Sequence, residues 1–88
     1  MSRKSVEFLT RPGCHLCEDA LPVVRRLARL VGVQVVEVNV ESDPRMAVEW
    51  GLRIPVVRTA GGRVLAEGRV SELPLLIGLL RVRISGGG

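Results

Sequence analysis

Residues 10–17 read Thr10-Arg11-Pro12-Gly13-Cys14-His15-Leu16-Cys17 and contain both cysteines and the only histidine of the chain. Two thiols separated by two residues can close a small disulfide ring, or one thiol can attack a foreign disulfide that the other then releases. A structural disulfide stabilises a protein mainly by closing a long loop of the unfolded chain, and the loop between Cys14 and Cys17 is too short for a large effect. The spacing therefore favours thiol–disulfide exchange over a structural bridge.

The length and composition of the chain predict one small α/β domain. The chain has 88 residues, of which 47% are hydrophobic, and its only aromatic residues are Phe8 and Trp50. We expect residues 1–88 to form a single domain that ends in a flexible tail at 85–88. The chain has no apolar run of 18 residues, and the apolar stretch near its start is too short for a signal peptide. We therefore expect no membrane partner and a location in the reducing cytoplasm.

The net charge of +4 comes from twelve arginines and one lysine against nine acidic residues. The densest basic group is Arg25, Arg26 and Arg29, at positions where an amphipathic helix would face solvent. No aromatic residues alternate with these arginines to stack on bases, as in many single-strand binders. The pattern indicates a solvated helix face, and we expect no nucleic-acid partner.

The hydrophobic periodicity predicts the element order βαβαββα. Strands are expected at 5–10, 33–40, 56–59 and 63–67, where β-branched and apolar residues are concentrated. Helices are expected at 15–31, at 44–50 after the cap residue Asp43, and after Ser71 near the end of the chain. The stripe predicted to be buried on the last helix consists of Leu73, Leu76, Ile77 and Leu80. The first two strands and their connecting helix should form a right-handed parallel βαβ unit.

Several short motifs, in this order and at these separations, resemble the thioredoxin superfamily and most closely the small glutaredoxins and glutaredoxin-like proteins. The motifs are Phe8–Cys17, with its Pro-Gly turn and C-x-x-C pair, Pro22 five residues further on, and the segment Trp50–Val56. The resemblance implies a thioredoxin-like, three-layer α/β/α fold with a four-stranded mixed sheet. It also implies that Cys14 is the nucleophile, Cys17 the resolving thiol and Pro55 a cis-proline.

The resemblance further implies a substrate-binding set, which consists of Arg11, His15, Leu16, Ile54, Pro55 and Gly68. Arg11 matches the basic residue that would meet a glutathione carboxylate, and Gly68 matches the second glycine of the pair before the last helix. The chain departs from the family where Glu67 replaces the first glycine, and where His15 and Leu16 replace a proline and an aromatic residue. The expected partners are disulfide-containing proteins, with glutathione or a thioredoxin-reductase-type protein as reductant.

The physical argument for Cys14 as nucleophile is independent of the family. A thiol at a helix N-terminus beside cations can have its pKa lowered from about 8.5 to roughly 3.5–7.5, and only the thiolate attacks. Arg11 and a protonated His15 supply nearby cations, and the first turn of the helix supplies unpaired N–H groups. Cys17 lies one turn into the helix and should be less exposed. His15 could equally be a simple exposed residue that has no effect on the cysteine pair.

The proline at position 55 has two interpretations on the sequence alone. It could begin a strand, where its missing N–H donor costs nothing. A cis Ile54–Pro55 bond would instead turn the backbone of Ile54 toward Cys14, where it could pair with a substrate strand.

Two other classes of function remain open at this point. Cys14, His15 and Cys17 are three candidate metal ligands, but the adjacent Cys14 and His15 cannot easily occupy two corners of one tetrahedron. We therefore expect no metal site within one chain and no cofactor other than glutathione. A cluster shared between two chains, as in some glutaredoxins, is one alternative. A redox-inactive interaction module on the same fold is the other.

Overall fold

The computed structural model describes residues 4–85 as a four-stranded sheet and three α-helices, with one 3-10 turn at Val40–Ser42. The strands are β1 (Ser5–Thr10), β2 (Gln34–Asn39), β3 (Val56–Thr59) and β4 (Val64–Glu67), and the helices are α1 (His15–Val31), α2 (Pro44–Trp50) and α3 (Glu72–Ile84). The predicted order βαβαββα is confirmed. Residues 86–88 of the expected flexible tail lie outside the described residues.

The sheet has the strand order β2-β1-β3-β4. Strand β2 runs parallel to β1, whereas β3 is antiparallel to both β1 and β4, so the sheet is mixed, as expected. Strand β2 is shorter than predicted because Val33 lies before it and Val40 enters the 3-10 turn. No helix within residues 4–85 is long and apolar enough to cross a membrane.

The two faces of the sheet carry different side chains. Glu7 and Arg58 face each other on β1 and β3 and form an ion pair, with 2.7 Å between Arg58 Nε and Glu7 Oε1. The ring of Trp50 lies 5.2 Å from the guanidinium carbon of Arg58, so α2 covers this face. Because side chains alternate along a strand, Val6 and Phe8 point to the opposite face, where α1 and α3 pack together. The arrangement is the expected α/β/α sandwich.

Helix α3 contradicts the predicted buried stripe. Leu75, Leu79 and Val82 are fully buried, whereas the predicted positions are exposed or half-buried. The helix is apolar on more than one face, so the spacing of its leucines did not determine which face meets the sheet. Gly78 belongs to the inward side, since a Cβ placed there would lie 3.2 Å from Cδ2 of Leu65 in β4.

Candidate active site

The cysteine pair lies where β1 ends and α1 begins. Cys14 is the N-cap of α1, with an extended backbone (φ −89°, ψ 105°), and the backbone N–H of Cys17 donates to Cys14 Sγ over 3.2 Å. The two cysteines are joined in a disulfide, with 5.2 Å between their Cα atoms. Gly13 precedes the cap with φ +79°, a backbone region that glycine enters without strain. The Pro-Gly turn therefore delivers Cys14 directly to the positive end of the helix.

The two sulfur-bearing side chains differ in burial. Cys14 is half-buried, whereas Cys17 is only 2% exposed and belongs to the hydrophobic core. Cys17 belongs to the same buried cluster as Ala20 and Val24 of α1. A bulky disulfide arriving from solvent would meet Cys14 first. The roles of the two thiols stay a prediction, which requires this order of access.

Three of the six predicted substrate-binding residues, Leu16, Gly68 and Arg11, line two clefts at the start of α1. One cleft, of about 320 Å³, is lined by Leu16 and Gly68 together with Asp19, Ala20, Val23, Arg69 and Val70. The other, of about 400 Å³, is lined by Arg11 and Cys17 together with Thr10, Pro12, Gly13, Glu18, Leu21, Glu37 and Asn39. We define them as the Leu16 cleft and the Arg11 cleft. Arg11 and Gly68 therefore lie in different clefts.

His15 lies outside both clefts. Its side chain is almost fully exposed, and its Nδ1 is 3.8 Å from Oε2 of Glu18 on the next turn of α1. A histidine in this position can contact a docked substrate, but it lines neither the Leu16 cleft nor the Arg11 cleft.

The Ile54–Pro55 peptide bond is cis, as the resemblance implied, and both residues are buried. The Pro55 carbonyl accepts a hydrogen bond of 2.8 Å from the N–H of Gly68, so two predicted site residues are connected through their backbones. The N–H of Ile54 donates to the Trp50 carbonyl over 3.1 Å. A substrate strand that pairs with Ile54 must therefore use its carbonyl oxygen.

Sequence reasoning missed an ion pair between Arg53, which precedes the Ile54–Pro55 bond, and Glu67, which precedes Gly68. Arg53 binds the carboxylate of Glu67 through two hydrogen bonds, of 2.9 Å from Nε and 2.7 Å from the terminal nitrogen. The hydrogen bond and the opposite charge raise the pKa of Arg53 above its ordinary value and lower that of Glu67. The Arg53 guanidinium also lies 4.1 Å from the Trp50 ring centroid, within the range of a cation–π contact. Glu67 thus has a partner that the family's glycine at this position would lack.

The acid at the start of α3 is also occupied. Glu72 accepts a hydrogen bond of 2.7 Å from Arg26 of α1, and this ion pair connects the two helices. Arg25 forms a second ion pair, with Glu37 of β2. Two of the three arginines in the densest basic group are therefore neutralised by acids of the same chain.

A metal site would need several ligands close together. Within residues 4–85, no three His, Cys, Asp or Glu side chains are close enough to hold a metal ion.

Fold and cysteine pair together define a class of protein, the thioredoxin-like domains with a C-x-x-C pair at the start of the first helix. Within this class, the chain belongs to the glutaredoxin-like domain (DUF836) family, whose sequence profile matches residues 5–75. Uncharacterized proteins of Mycobacterium tuberculosis and Mycobacterium bovis are each 33% identical to it over 66 residues, which make up 69% of this chain and 68% of the relative.

Solved structures share the fold. A structural genomics target protein from X. campestris has a TM-score of 0.68 and 27% identity, and the match covers 84% of this chain and 93% of that one. Thioredoxin 1 from Thermosipho africanus has a TM-score of 0.58 at 15% identity, over 84% of this chain and 90% of the other. The second likeness concerns the fold alone.

Proposed function

We propose that the protein is a dithiol oxidoreductase that reduces disulfides by thiol–disulfide exchange. The observation that carries the proposal is the arrangement of the two cysteines. Cys14 caps α1, accepts an N–H from the helix and is partly accessible, whereas Cys17 is buried within disulfide-bonding reach of it. Helix-terminal N–H groups favour the thiolate, which is the form of cysteine that attacks.

The proposed reaction has two exchange steps. In the first, the Cys14 thiolate attacks one sulfur of the substrate disulfide, and the other substrate sulfur leaves as a thiolate and takes up a proton. In the second, Cys17 loses its proton and attacks Cys14 Sγ, which releases the second substrate thiol and leaves the intramolecular disulfide. The substrate gains two electrons, which the two protein thiols supply. An external thiol reductant then restores both thiols.

The Leu16 cleft is the proposed docking site for the substrate. Leu16 is exposed at its rim, and apolar residues such as Ala20, Val23 and Val70 line its wall. This composition suits the apolar side chains that flank a disulfide in a protein substrate. Gly68 adds no side chain to the cleft, and a Cβ at this position would extend into open space, since it would meet no atom within 4 Å.

Glutathione is the second proposed substrate and reductant, alongside a thioredoxin-reductase-type protein. Arg11 would contact a glutathione carboxylate from the Arg11 cleft. Glutaredoxins also use an acid at the start of the last helix for glutathione, and the acid at that position here, Glu72, is already bound to Arg26. This occupancy favours protein disulfides as the main substrates. A cycle that depends on thiol reductants requires a reducing compartment, and we propose the cytoplasm.

The test uses the two single-cysteine variants as each other's control. Cys17→Ser should accumulate a mixed disulfide with a substrate, because the first attack survives and the release step is lost. Cys14→Ser should form no mixed disulfide and show no turnover. Intact-protein mass spectrometry measures the adduct, and thiol release from a chromogenic disulfide measures the turnover.

Two outcomes would contradict this assignment. Adduct formation through Cys17 in the Cys14→Ser variant would reverse the roles of the two thiols. A lack of turnover by the unaltered reduced protein, with every disulfide offered, would favour the redox-inactive interaction module instead.

A further inference from the structure

Helix α3 is apolar on two opposite faces. Its inner face, formed by Leu75, Leu79 and Val82, is fully buried in the core. Its outer face carries four exposed aliphatic side chains, which we define as the α3 stripe: Leu73 (66% exposed), Ile77 (44%), Leu80 (40%) and Ile84 (81%). A helix that is hydrophobic on all sides is normally covered on all sides. The α3 stripe is therefore a surface that lacks a cover within residues 4–85.

The spacing of the stripe matches a helix–helix seam. Its residues follow one another at steps of four, three and four, which is the a/d spacing of a coiled coil. At 3.6 residues per turn the four positions lie within an arc of about 60°, opposite the buried face, and extend over about 17 Å. A narrow apolar seam of this kind packs against one helix rather than against a broad surface.

We propose that the α3 stripe binds the same stripe of a second copy of this chain in an antiparallel pair. The steps of four, three and four read the same in both directions, so a twofold axis between Ile77 and Leu80 brings the stripe onto itself. Leu73 then meets Ile84 of the second copy, and Ile77 meets Leu80 of the second copy. Each contact pairs a leucine with an isoleucine, and the interface is isologous, as in most homodimers.

The charges beside the stripe favour the antiparallel direction. Glu72 lies at the N-terminal end of α3, whereas Arg81 and Arg83 lie in its last turn. Antiparallel pairing brings Arg83 to the end of the partner helix that carries Glu72, on the same flank of the seam. Oε1 of Glu72 already accepts from Arg26, whereas its Oε2 has no hydrogen-bond partner within residues 4–85 and is the oxygen that Arg83 would approach. Parallel pairing would place Arg81 of one copy near Arg83 of the other and align the two helix dipoles.

The exposed area implies a weak dimer. The area that these four residues expose on each copy is more than that of two fully exposed aliphatic residues. Val64 and Pro74 border a groove between α3 and β4 beside Ile77, and they would add to the contact. The total remains below the roughly 800 Å² per partner of a standard interface, so association should depend on concentration. The Leu16 and Arg11 clefts are lined by other residues, so the dimer does not depend on the proposed redox function.

The experiment is sedimentation equilibrium over a concentration series from about 10 µM to about 1 mM, a range that covers weak association. The unaltered protein should change from monomer to dimer across the series. Ile77→Glu, Leu80→Lys and Ile84→Glu should each remain monomeric, and circular dichroism checks that each is folded. Val48→Glu is the matched control, because it changes an exposed aliphatic residue on α2 and should leave the dimer unchanged.

An equimolar mixture of the Ile77→Glu and Leu80→Lys variants tests the register. In the antiparallel pair, the new acid of one copy faces the new base of the other, and the remaining Leu80 meets the remaining Ile77, so the mixture should form dimers that neither variant forms alone. A mixture that remains monomeric would overturn the antiparallel register. A protein that is monomeric at every concentration, or a dimer that Ile77→Glu does not weaken, would overturn the proposal as a whole.

Discussion

Replacing Gly68 by alanine tests whether the turn after β4 positions Pro55, a predicted substrate-binding residue. Gly68 has φ +72°, and its N–H donates to the Pro55 carbonyl over 2.8 Å. A Cβ at this position would meet no atom within 4 Å, so the substitution adds backbone strain without a clash. The backbone must then either keep the strained conformation or relax and weaken its hydrogen bond to Pro55.

The expected loss of stability in Gly68→Ala follows from the backbone conformation alone. A non-glycine residue in the left-handed region costs about 1–2 kcal/mol. For a domain of this size, such a loss lowers the melting temperature by about 4–16 °C. Gly62→Ala is the matched control, because Gly62 also has positive φ (+96°) and open space around its Cα but lies in the β3–β4 turn. Its stability loss should be at least as large.

The two variants should differ in catalysis. Any relaxation at Gly68 shifts Pro55, whereas relaxation at Gly62 remains within the hairpin turn. We expect kcat/KM for a disulfide substrate to fall about tenfold in Gly68→Ala, equivalent to about 1.4 kcal/mol, and to stay unchanged in Gly62→Ala. Thermal melts by circular dichroism and initial rates at 25 °C measure the two effects. Equal rates for the two variants would refute a positioning role for Gly68.

Three further predictions concern stability and substrate recognition. Leu79→Ala should lower the free energy of unfolding by about 2–5 kcal/mol, and Leu80→Ala by about 1 kcal/mol or less, because only Leu79 is fully buried. Urea denaturation of the dilute protein measures both, and equal losses would contradict the orientation of α3. Arg53 holds the pKa of Glu67 below its ordinary value of 4.5. The ion pair's contribution to the free energy of unfolding is therefore complete above pH 4.5 and is lost as the pH falls through the lower, folded-state pKa of Glu67. The stability difference between the protein and Glu67→Gln should therefore shrink only in acid, and a difference that shrinks near neutral pH would exclude this pair as its source. Arg11→Ala should raise KM for a glutathione mixed disulfide several-fold more than KM for an uncharged disulfide, because the guanidinium would bind a carboxylate; equal changes would argue against that contact.

The local signals in the chain were sufficient to predict the order of the elements. Asp43 caps α2 through its side chain, which accepts the N–H of Arg45, and Pro44 occupies the first turn. Gly32 ends α1 with a left-handed backbone. These signals act within a few residues, so a pattern along the chain contains them completely. The position of the cysteines at a helix start followed from the same kind of information.

The inward face of α3 and the partners of the site residues were decided only in three dimensions. Apolar residues occur on more than one face of α3, so its periodicity is ambiguous, and packing in the folded protein buries Leu75, Leu79 and Val82. Arg53 and Glu67 are 14 residues apart and meet because β3 and β4 pair between them. The separation of Arg11 from Gly68 into two clefts likewise depends on how the loops at one end of the sheet are arranged around α1. Caps and periodic patterns involve residues that are close together in the chain, so the sequence alone predicts them. These contacts instead depend on how distant segments pack in the folded protein.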